Sequence, residues 1–124
     1  MNFKKTEISA KQKKAITFAL KTIQKSELLP YIDKVILYGS CARGSEKWNS
    51  DVDLCIILKQ ESKQLPDLST KIHLLKGTVS SDQIDAAEAD AKFFIGNEWE
   101  LNQSAFCKNI RKDGKIIWQS ITHH

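Results

Sequence analysis

The chain has 124 residues, enough for one ordinary domain and too few for two, so a single domain over 1–124 is expected. Its composition, 41% hydrophobic and 27% charged, excludes a disordered chain, and short apolar runs such as Cys55-Ile56-Ile57-Leu58 fall far below the roughly 20 residues that a bilayer span requires. The excess of 19 Lys and Arg over 15 Asp and Glu, a net +4, permits a polyanionic or acidic partner, nucleic acid included, without implying one.

The first residues, Met-Asn-Phe-Lys-Lys-Thr-Glu, carry two lysines with no apolar stretch behind them, unlike a secretory signal, and a cytoplasmic protein is expected. Ser9-Ala10-Lys11-Gln12 fits a capping box, and Ile16, Ala19, Leu20 and Ile23 then recur at helical spacing up to about Lys25. This is an amphipathic helix. Its lysines, Lys11, Lys13, Lys14, Lys21 and Lys25, read as a solvated face because no aromatics are interleaved among them. After Leu28-Leu29-Pro30, the β-branched stretch 34–38 predicts a strand that stops at a tight Gly39-Ser40 turn. Residues 51–58 predict a second strand, followed by turn signals over 59–64. A helix is expected from near Pro66 through Leu68, Ile72, Leu74 and Leu75 to a cap at Gly77. A third strand is placed at about 83–87. A helix carrying Leu101, Ala105, Phe106 and Ile110 then leads to Asp113-Gly114 and a last apolar strand, Lys115-Ile116-Ile117-Trp118, with Trp118 in the core. This order predicts an α/β (α+β) fold, a small mixed sheet with helices packed on one face.

The cysteines, Cys41, Cys55 and Cys107, are odd in number and lack the C-x-x-C spacing of a zinc or redox site, which points to reduced structural thiols. His73 sits among apolar neighbours, while His123 and His124 close the chain, and none has the surroundings of a metal ligand. The chemistry concentrates instead in 37–54. Alternation along a strand puts Asp51 and Asp53 on one side and Val52, Leu54 and Ile56 on the other. At about 3.3 Å per residue, the two carboxylates stand close enough to converge on a hard cation. A lone D-x-D more often marks an exposed strand end. Here it is paired with Gly39-Ser40, where glycine lets a phosphate approach the backbone and free N–H groups of the turn can cradle it.

Gly39-Ser40, ten intervening residues, then Asp51-x-Asp53 resembles the signature of the polymerase beta-like nucleotidyltransferase superfamily, and more narrowly its minimal (MNT-type) members, often antitoxins. The resemblance implies a small mixed sheet with helices and a third metal-binding carboxylate on a neighbouring strand. Asp85, flanked by Ile84 and Ala86, is the first choice for that place, with Asp82, Glu88 and Asp90 as nearby competitors. It implies Mg2+ or Mn2+ on Asp51, Asp53 and Asp85, and ATP or another nucleoside triphosphate as substrate. Ser40 and the adjoining backbone would hold phosphates, Arg43 would pair with phosphate oxygens, and Ser50 would orient the carboxylates. The acceptor implied is a hydroxyl on a protein partner, with a HEPN-type toxin as the leading guess. The alternative is a fold-retaining antitoxin that acts by complex formation alone.

Overall fold

The computed structural model describes residues 10–38, 51–80 and 87–121. Helix α1 (Ala10–Gln24) leads through a 3-10 turn (Leu29–Tyr31) to strand β1 (Ile32–Tyr38). Strand β2 (Val52–Leu58) is followed by a second 3-10 turn (Gln60–Gln64), helix α2 (Leu68–Thr78) and strand β3 (Ala89–Ile95). Two short helices, α3 (Glu98–Leu101) and α4 (Ala105–Asp113), precede strand β4 (Lys115–Gln119). The strands form a mixed sheet in the order β3-β2-β1-β4, with β1 antiparallel to both β2 and β4 and β2 parallel to β3.

Strand β2 has a neighbour on each side, and its apolar run reflects burial on both faces. On one face Val35, Leu37, Leu54, Ile56 and Leu58 pack against Ala15, Ala19 and Ile23 of α1 and Leu75 of α2. The alanines put only small side chains at the contact, which lets α1 lie close to the sheet. The long helices therefore cover one face, as expected. The opposite face is also partly covered, which the periodicity did not show: Ile36, Tyr38, Cys55 and Ile57 meet Ile110 of α4, with Phe94, Trp99 and Phe106 around them.

Several boundaries moved for local reasons. Helix α2 starts at Leu68 because Asp67 adopts a left-handed φ of 59°, and Gly77 lies inside the helix, whose end is marked by the Val79 N–H bonding to the Leu75 carbonyl. The single helix expected over Leu101 to Ile110 is broken in two by its own polar side chains. Asn102 Oδ1 accepts from the Ser104 N–H at 2.7 Å, and Ser104 Oγ accepts from the Cys107 N–H at 3.2 Å, capping α4. Arg111 Nη1 donates to the carbonyls of Trp99 and Asn102 at 2.7 and 2.8 Å, tying α4 back onto α3. Trp118 packs partly buried on the α1 face of the sheet. No helix of the described residues is long and apolar enough to cross a membrane.

Candidate active site

The third strand starts at Ala89, six residues after the start of the one expected at 83–87, of which 83–86 lie outside the described residues. Ala87 is buried just ahead of it, where its N–H bonds to the Lys11 carbonyl at 3.1 Å. The Val52 N–H then bonds to the Glu88 carbonyl at 2.8 Å and sets the parallel register. That register puts Asp90 beside Asp53, while β1 places Tyr38 on the other side of Asp53. Tyr38, Asp53 and Asp90 thus form one row across three strands on the α4 face. Asp51, just before β2, shares the side of Asp53 by strand alternation. Ile36, Cys55 and Lys92 make the next row inward.

This face has an apolar floor and an acidic rim. Phe106 of α4 meets Tyr38 edge-on at 5.0 Å between ring centroids and stacks on Phe94 at 6.0 Å. Lys92 Nζ lies 5.7 Å from the Phe106 ring centre and donates to Asp90 Oδ2 at 3.2 Å. Burial pushes the Asp53 carboxyl above the ordinary aspartate range; the charges of Asp90 and then Asp51 push it further, and Lys92 opposes them. Burial, followed by the charge of Asp53, also raises the Tyr38 phenol, which stays protonated at neutral pH. The Cys55 thiol is pushed up to about 12 by burial and by neighbouring Cys107, so it is no nucleophile. His73 is exposed on α2, whose neighbours pack on the opposite face of the sheet.

Of the site residues expected from sequence, Asp51 and Asp53 fall at one edge on one face. Gly39, Ser40, Arg43, Ser50 and Asp85 lie outside the described residues. Asp90, one of the competitors named for the third carboxylate, stands beside Asp53, and Tyr38, Lys92 and Phe106 around it were not singled out from the sequence. The alternation Ala89-Asp90-Ala91-Lys92, small residues against charged ones, was the available signal. The donors at the rim are carboxylate oxygens held near one another against repulsion, a set that suits a hard divalent cation. Among the described residues, no three His, Cys, Asp or Glu side chains already converge as a closed metal site, and Asp90 is engaged by Lys92.

Residues 19–122 match the family described as polymerase beta, nucleotidyltransferase. The chain belongs to that family. It is similar to a Methanocaldococcus jannaschii protein named "Putative protein adenylyltransferase MJ0604", with 31% identity over 94 residues that cover 76% of this chain and 86% of the relative. Among solved structures, a chain of "Crystal structure of the toxin-antitoxin with AMP-PNP" superposes with a TM-score of 0.53 at 18% identity, covering 84% of this chain and 73% of that one. The latter likeness shows the fold, a nucleotidyltransferase sheet with its flanking helices.

Proposed function

We propose that this nucleotidyltransferase transfers AMP from ATP to a hydroxyl of a protein partner in the cytoplasm, in the manner of an MNT-type antitoxin acting on a HEPN-type toxin. The observation that carries the reading is the row of Asp53 and Asp90 on paired strands with Asp51 beside them, a gathering of like charge that raises the Asp53 carboxyl. Such crowding works against stability and is retained where a cation is to be bound. The adenylyltransferase relative supports AMP as the transferred group, and the toxin-antitoxin neighbour supports a protein partner.

Asp51 and Asp53 would hold a divalent cation, Mg2+ or Mn2+, which when bound supplies charge neutralisation to the triphosphate. Asp90 takes the third place in preference to Asp85, because directly paired strand residues bring their side chains side by side. Gly39, Ser40 and Arg43 hold the phosphates, and Ser50 orients the carboxylates. The acceptor oxygen forms a bond to the α-phosphorus while the bond to the bridging oxygen of the β-phosphate breaks. Pyrophosphate leaves, and the hydroxyl proton passes to a carboxylate of the rim.

The test is intact mass of candidate partners incubated with the protein, ATP and Mg2+. One added nucleotidyl group is expected with the parent chain and none with Asp53→Asn or Asp90→Asn, while Asp85→Asn should retain transfer. Loss with Asp85→Asn and retention with Asp90→Asn would reinstate Asp85 as the third ligand. A partner bound but never modified would make the protein a binding module instead.

A further inference from the structure

Lys11, Lys14, Phe18, Lys21 and Lys25 follow one another at alternating spacings of three and four residues, the repeat that keeps side chains in one line along a helix. The buried side of α1 is Gln12, Ala15, Ala19 and Ile23, so this line lies toward solvent, and α1 contains no acidic residue. Phe18 stands at the middle of the line and is 39% exposed. With Lys13, Lys14, Thr17 and Lys21 it lines a shallow depression of about 380 Å³. Just beyond, Lys25 and Leu28 face Leu74 and Thr78 of α2 across a groove of about 430 Å³, in which Leu74 is 60% exposed. One charge there is balanced, since Lys71 donates to Glu27 at 3.1 Å. Lys13, Lys21 and Lys25 have no acidic partner among the described residues.

We infer that α1 and the adjoining edge of α2 form a docking face for an acidic amphipathic helix of a partner protein. Phe18 and Leu74 receive its apolar side chains, and Lys13, Lys21 and Lys25 receive its carboxylates. Apolar anchors inside a cationic rim match the helix-in-groove mode, in which burial gives affinity and complementary charge gives register and on-rate. Single-stranded nucleic acid would need successive aromatic platforms, and this line offers one. The face lies across the sheet from Asp53, so a partner gripped here leaves the acidic rim open. Docking here is therefore independent of cation binding at the rim.

Fluorescence anisotropy of the full chain with a labelled synthetic peptide tests it. The peptide has about 18 residues, roughly 27 Å as a helix, with Leu at every third or fourth position and Glu elsewhere. The controls are a scrambled peptide of the same composition and an oligouridylate RNA. The expected result is binding of the patterned peptide at least tenfold tighter than either control. Phe18→Ser and the combined Lys13→Gln, Lys21→Gln, Lys25→Gln variant should each weaken it at least fivefold, with amide shift changes confined to α1 and the Leu74 region. Leu74→Ser gives the same readout from the other helix should Phe18→Ser disturb folding. Absence of binding, equal affinity for the scrambled peptide, tighter binding of the RNA, or indifference to these substitutions would overturn the proposal.

Discussion

Asp53 stands where three influences meet: burial, the carboxylates of Asp90 and Asp51, and the ammonium of Lys92. Among the described residues Lys92 is the cation that lowers Asp53, and it does so while bonded to Asp90, so it screens the rim in the metal-free protein. Lys92→Met should push the Asp53 carboxyl still higher, read as the pH midpoint of its side-chain carbon shift by NMR. An unchanged midpoint would mean that Lys92 does not act on Asp53. Asp53→Asn should abolish transfer and leave the fold intact, because the amide keeps the shape and removes both the charge that the cation needs and the charge that its neighbours oppose.

The elements that shape this site differ in how far their residues announce them. Strands β1 and β2 are legible because both are buried on two faces, and only apolar, β-branched runs such as Val35-Ile36-Leu37 satisfy that environment. Strand β3 is an edge strand with one face toward small alanines and the other toward a charged rim. Its first half, Ala89-Asp90-Ala91-Lys92, alternates small and charged residues before the apolar Phe93-Phe94-Ile95, and Asp85 flanked by Ile84 and Ala86 drew the expectation upstream. The break between α3 and α4 was hidden because it depends on side chains of Asn102 and Ser104 bonding the backbone, a contest that helical periodicity does not register. Ser104→Ala should accordingly cost about 1 kcal/mol by chemical denaturation and loosen Phe106 from Tyr38. Gly114→Ala should cost more, about 1–3 kcal/mol. Its φ of −66° suits any residue, yet a Cβ would lie 2.5 Å from the Ile110 carbonyl oxygen and 2.6 Å from Ile36 Cγ2. No cost for Gly114→Ala would show that α4 can lift from β1 freely.

At the scale of the whole molecule, the sheet divides two tasks between its faces. One side buries the main core under α1 and α2, and the other exposes an acidic rim beside a smaller aromatic cluster. That division makes the stability of the metal-free chain depend on pH in a direction that can be worked out. Asp53 has a folded pKa above its unfolded value, so the folded state favours the protonated carboxyl. The stability it contributes is complete below the unfolded value, about 3.9, and is lost as pH rises through the raised folded value. Other carboxylates add their own slopes, so the informative quantity is the difference between the parent chain and Asp53→Asn. The melting temperature of the variant should exceed that of the parent at pH 7, and the gap should close as the pH is lowered toward 4. Mg2+ should act in the same sense, raising the melting temperature of the parent more at pH 7 than at pH 4.5 and that of Asp53→Asn hardly at all, because ligand stabilises only the state that binds it. A parent and variant that melt together at pH 7, with equal responses to Mg2+, would mean that Asp53 is not strained by its neighbours and that the rim is not built for a cation.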